Sequence, residues 1–159
     1  MGAYSEYIAF MEKYRDELTE VEKNERAKRQ ALLESDMAKL ETIISTQQAQ
    51  TMKLRSLEDK RIQLQEALSP ETLTAREFLA GMDEGEDKRR LTALVREITA
   101  LTESIKEQNK QALELAQTNF KILETVLQKD SFNQEKNVYG PSGGRRDTGT
   151  SGKTFAGEV

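Results

Sequence analysis

The chain has 159 residues, no cysteine, no histidine, 33% charged residues and a formal net charge of -4. These values exclude a disulfide framework, a thiolate nucleophile and histidine-based metal or acid–base chemistry. The acidic balance, with a pI near 5.2, speaks against a protein that tracks nucleic-acid backbones, so no nucleic-acid partner is expected.

Aromatic residues make up only 6%, and the mean hydropathy is -0.74, too polar for a thick globular core. The apolar residues nevertheless recur at helical spacing, which predicts an all-α chain of long helices packed along narrow seams. Met1–Glu6 lacks the basic and apolar regions of a secretory leader. No run approaches the ~18 apolar residues of a membrane span, so no membrane insertion is expected. The absence of cysteine is consistent with a reducing, cytoplasmic setting.

The first half reads as one long helix over about 3–68. Its seam runs Tyr4, Tyr7, Met11, Tyr14, Leu18, Val21, passes the polar Glu25 and Lys28, and reaches Leu32. The phase then slips near Ser35-Asp36 and resumes at Leu40, Ile43, Gln47, Gln50, Leu54, Leu57, Arg61, Leu64 and Leu68. With no Gly or Pro between Ala3 and Ser69, the slip is read as local unwinding within a continuous helix.

Ser69-Pro70 has the residues of a helix cap and first turn, which predicts a short helix over about 70–81, with Phe78 and Leu79 plugging the turn end. Gly81 and Gly85 bracket an acidic link where the chain reverses. A last helix spans about 86–130, with a seam at Leu91, Leu94, Ile98, Leu101, Ile105, Gln108, Ala112, Leu115, Asn119, Ile122 and Val126. Leu113, Phe120, Leu123 and Leu127 widen its apolar stripe toward the C-terminal end.

The short link predicts an elongated, coiled-coil-like antiparallel hairpin with a short connecting helix. In that register Gln47 faces Gln108, and Asn119 faces the Ser35-Asp36 slip, so these three form a polar seam that pins the pairing. The first helix then outruns the last by roughly 20 residues, leaving Tyr4 to Val21 bare. A homodimer, the chain's own tail or another protein are the three ways of covering it.

Beyond Phe132 the composition shifts. Residues 140–157 hold six of the nine glycines, and 133–159 read as a flexible tail. Gly152-Lys153-Thr154 ends like a phosphate-binding loop, but Asp147 stands where its first glycine belongs and no strand precedes it. Carboxylates alternate with Lys and Arg as on solvated helix faces. No cofactor, metal site or enzymatic centre is expected.

Ala31-Leu-Leu-Glu-Ser-Asp36, Leu40-Glu-Thr-Ile-Ile44 and Leu57-Glu-Asp-Lys-Arg-Ile-Gln-Leu-Gln65 resemble the first long helix of the FlgN family of flagellar export chaperones. Ile105 to Leu123 is similar to that family's last helix, and Tyr139-Gly140-Pro141-Ser142-Gly143 to the element that follows it. The resemblance covers about 10–143. It implies a cytoplasmic chaperone domain over 1–132 that binds the C-terminal regions of hook-associated proteins of the FlgK and FlgL type. Such a chaperone prevents premature assembly and delivers its cargo to the type III export apparatus.

On that resemblance Leu113, Phe120, Leu123, Val126 and Leu127 are the cargo-binding residues. Tyr139 is the residue that docks to an export gate protein of the FlhA type. A structural coiled coil, such as the stalk of a secretion ATPase, or a self-assembling rod are the competing readings.

Overall fold

The computed structural model describes residues 2–71 and 74–133. Four helices appear: α1 (Ser5–Glu34), α2 (Met37–Leu68), α3 (Ala75–Ala80) and α4 (Glu86–Asn133). The fold is all-α, with the long helices packed side by side and no strand among the described residues.

The expected continuous first helix is two helices. Ser35 adopts a left-handed conformation (φ 54°, ψ 34°). Its N–H donates to the Leu32 carbonyl at 3.3 Å, and the Asp36 N–H donates to that of Ala31 at 3.0 Å. This is the Schellman closure that glycine usually provides. Asp36 then caps α2, its Oδ1 accepting from the Lys39 N–H at 3.1 Å. A non-glycine residue in this region costs about 1–2 kcal/mol. The reversal is favoured because it covers the N-terminal seam: Tyr7, Met11, Tyr14 and Leu18 are all almost fully buried, and each large apolar side chain removed from water contributes about 1.5–3 kcal/mol. Packing therefore outweighs the local strain several-fold.

Cross-helix bonds fix the directions. Tyr7 pairs with Gln65, Tyr14 with Glu58, Glu17 with Lys53 and Glu25 with Gln47, so α2 runs antiparallel to α1. Glu12 pairs with Arg90, Arg15 with Glu97, Lys28 with Asn109 and Arg29 with Gln111, so α4 runs parallel to α1. α2 and α4 run antiparallel on either side of the short helix, as expected of a hairpin, but α1 is folded back as a third rod packed against both.

The connecting helix starts later than expected. Ser69 closes α2 instead of opening α3. Thr74 is the N-cap, its side chain accepting from the Glu77 N–H at 3.2 Å. Phe78 does plug this end, meeting Tyr7 and Tyr4 edge-on at centroid distances of 5.0 and 5.9 Å.

The core sits at this end. Tyr7, Met11, Tyr14 and Leu18 of α1 meet Leu54 and Leu57 of α2, Phe78 of α3 and Leu91, Leu94, Val95 and Ile98 of α4. The expected bare overhang at Tyr4–Val21 is therefore this core, and the bare end of the molecule lies elsewhere.

Candidate partner-binding site

Asn119 lies beside the α1–α2 reversal, its Nδ2 donating to the Leu32 carbonyl at 3.3 Å. Because α1 ends at Glu34 and the chain turns back there, α4 runs on from Phe120 to Asn133 past the other described helices, about 20 Å at 1.5 Å per residue. The sequence supplies no stop signal in this stretch, neither Gly nor Pro, so the helix propagates beyond its support.

That projecting segment is the most apolar exposed surface described. Phe120 is 66% exposed and Leu127 57%, with Ile122, Leu123 and Val126 similarly open. Leu113, one level below, is exposed as well. All five residues expected to contact a partner are thus at the surface of one helix. Ile122, expected to pack inside the bundle, joins them, because the helix it was to pack against turns away at Ser35. Leu115 is half-buried.

The base of the projection carries a second apolar group that sequence reading passed over. Leu33, Met37 and Ile44 are exposed at the reversal, and Met37, Ala38, Leu40, Glu41 and Ile44 line an open cleft of ≈ 460 Å³. Its signal in the sequence is the spacing 37, 40, 44, a helical stripe, of which only Leu40 falls on the seam of a continuous helix.

Between this end and the core lies a polar layer tying three helices together. The Glu25 carboxylate lies 2.9 Å from Lys28 Nζ and accepts from Gln47 Nε2 at 2.8 Å. Lys28 Nζ also donates to Asn109 Oδ1 at 2.9 Å. The expected Gln47–Gln108 pair does not form: the reversal offers Gln47 an ionised acceptor, and charge-assisted bonds are the stronger. Gln108 turns instead to Ser104 of its own helix, at 3.0 Å. Beyond the layer the buried apolar residues among those described are Ala31, Ile43 and Ala112.

A second polar cluster lies inside the core. Arg61, 2% exposed, donates to both oxygens of Glu58 and, at 2.9 Å, to Gln65 Oε1. Tyr7 donates to the same Gln65 oxygen, and Tyr14 to Glu58. Burial raises the pKa of both phenols, and the Glu58 charge adds to the shift at Tyr14. Burial opposes the charge on Arg61, but the bonds to Glu58 outweigh it and hold the guanidinium above its usual pKa. Every strong donor here has an acceptor, so the cluster is a register pin between α1 and α2.

Among the described residues no group of three or more His, Cys, Asp or Glu could hold a metal ion, and no helix is long and apolar enough to cross a membrane. What the arrangement offers is an anchored helix with an apolar stripe exposed along it. Tyr139 and the glycine-rich tail lie outside the described residues.

A protein-family model described as FlgN protein matches residues 1–147. Comparison with curated proteins gives no match, and neither does comparison with solved structures.

Proposed function

The chain belongs to the FlgN family, and on that premise we propose that it is a cytoplasmic type III export chaperone for flagellar hook-associated proteins of the FlgK and FlgL type. The family is one of flagellar export chaperones rather than enzymes. In this reading residues 1–132 form the chaperone body, which takes the C-terminal region of its cargo, keeps it from assembling early and brings it to the export apparatus.

The observation that carries the reading is the projection of α4 past the end of α1, with Phe120, Leu123, Val126 and Leu127 in solvent. An apolar surface this exposed commonly marks an interaction site. An amphipathic cargo helix laid along it follows the helix-in-groove mode. Each large side chain covered contributes about 1.5–3 kcal/mol, while association costs at least about 4 kcal/mol. Five or six such residues leave a moderate affinity, which suits a carrier that must release its load. Tyr139, beyond the projection in the chain, is assigned to docking on a gate protein of the FlhA type.

Co-expression with a FlgK- or FlgL-type protein followed by size-exclusion chromatography tests the assignment. A one-to-one complex is expected. The double substitution Phe120→Asp with Leu127→Asp should remove it while circular dichroism stays unchanged, since both side chains are exposed. Loss of helicity instead would show that the pair belongs to a core. Tyr139→Ala should leave the cargo complex intact and abolish binding to the cytoplasmic part of the gate protein.

A further inference from the structure

The exposed stripe is wider than one helix needs. Ala112, Leu115, Asn119, Ile122 and Val126 follow one 3-4 spacing, and Leu113, Ala116, Phe120, Leu123 and Leu127 follow another. At about 100° per residue the two rows lie side by side and span about half the circumference of α4. Lys121, Thr125 and Gln128 fill the opposite side, and Asp130 falls at the centre of the stripe and ends it.

Lower on α4 both rows are covered. The first continues the line of Leu94, Ile98 and Leu101, which faces α1 along the bonded pairs Arg15–Glu97 and Leu32–Asn119. The second continues Val95, Thr102, Asn109 and Ala116 at seven-residue steps to Leu123. Val95 and Thr102 are buried, whereas Leu123 is 56% exposed. The covering elements stop at the Ser35-Asp36 reversal, while the two rows run on.

From this we propose that the segment docking on the α4 projection is a pair of amphipathic helices, one on each row, continuing the three-helix bundle past its turn. The inference rests on the chaperone reading above and specifies its cargo element. Each helix needs about three turns with apolar residues at 3-4 spacing, and the two must lie next to each other, as a hairpin or as two ends of one chain brought together. The row that faces α1 is continuous with an interface the protein already makes, which sets the position of the first helix. The second row sets the other.

A second copy of this chain fits less well. Two projections packed antiparallel about a twofold axis cover one row on each and leave the other in water. Residues 134–159 fit no better, because they hold six of the nine glycines, each costing a helix about 1 kcal/mol relative to alanine.

The chain's lack of cysteine makes the test direct. Single variants Ile122→Cys, Val126→Cys, Phe120→Cys and Leu123→Cys, each labelled with a benzophenone maleimide, are irradiated in complex with a full-length FlgK- or FlgL-type protein. The cross-linked peptides are then mapped. Ile122→Cys and Val126→Cys should mark one helical segment of the cargo, and Phe120→Cys and Leu123→Cys a second, separate in sequence. Adding Phe120→Asp to the Ile122→Cys variant should weaken binding at least ten-fold.

All four labels on one cargo segment would overturn the two-helix inference and leave the chaperone reading standing. Labels on a second copy of this chain, or on residues 134–159, would overturn it in favour of those occupants. Failure of the unlabelled protein to form any complex would overturn the chaperone reading itself.

Discussion

The two ends of this bundle are built from the same kinds of residue and do opposite things with them. At the α3 end, Tyr7, Met11, Tyr14, Leu18, Leu91 and Ile98 are sealed from water, with an Arg61–Glu58–Gln65 cluster pinned among them. At the other end, Phe120, Ile122, Leu123, Val126 and Leu127 stand in solvent on a single helix. The Glu25–Lys28–Gln47–Asn109 layer lies between. The difference shows that the heptad pattern fixes which face of a helix is sticky, and chain reversal fixes whether that face is satisfied. One end supplies stability so that the other can remain exposed.

The comparison breaks if the sealed end proves dispensable. Arg61→Ala leaves Glu58 and Gln65 facing a void, and removing one member of a buried charged pair costs about 3–5 kcal/mol. Urea denaturation followed by circular dichroism should show a loss of that size. In the same assay Leu91→Ala should cost about 3 kcal/mol through the cavity it leaves. Leu123→Ala, on an open surface, should change stability by less than about 0.5 kcal/mol. Equal effects at positions 91 and 123 would erase the distinction between the ends.

The buried phenols give a pH test confined to the sealed end. Burial raises the Tyr7 and Tyr14 pKa values, with Glu58 adding at Tyr14. Above about pH 10 the unfolded chain sheds phenolic protons that the folded chain keeps. The unfolded state then binds fewer protons, so stability falls as pH rises, by up to about 1.4 kcal/mol per pH unit for each phenol. Below pH 10 their contribution is fully present. Thermal unfolding between pH 9 and 11.5 should show the decline, and Tyr14→Phe should make it shallower.

The smallest effect sharpens the boundary. Ser35→Gly relieves the left-handed strain and should stabilise the fold by about 1 kcal/mol, since glycine adopts φ 54° without a Cβ clash. If residues 5–68 were instead one straight helix in solution, the same substitution would destabilise by a similar amount.

Much of this was legible in the sequence. The seam positions, the all-α class, the end of the second long helix at Leu68, the Phe78 plug and the extent of α4 all follow from local periodicity and from where glycine and proline fall. The sequence also singled out Phe120, Leu123 and Leu127 as lying off the strict seam. The reversal at Ser35-Asp36 was visible only as a phase slip. Serine in a left-handed cap leaves no compositional mark as glycine does, and the Asp36 cap looks like any polar residue between helical turns. As a continuous helix this stretch would leave the N-terminus bare and pair Gln47 with Gln108, whereas the reversal puts the bare end on α4 and pairs Gln47 with Glu25.

Local chemistry, then, determined by itself which residues form helices and which faces are apolar, because helix periodicity is written in steps of three and four residues. Only the tertiary structure decided which of those faces are buried. That choice turned on whether covering Tyr7 to Leu18 with α2 outweighs one strained residue at position 35, a balance between groups up to 58 residues apart that no short window of sequence contains.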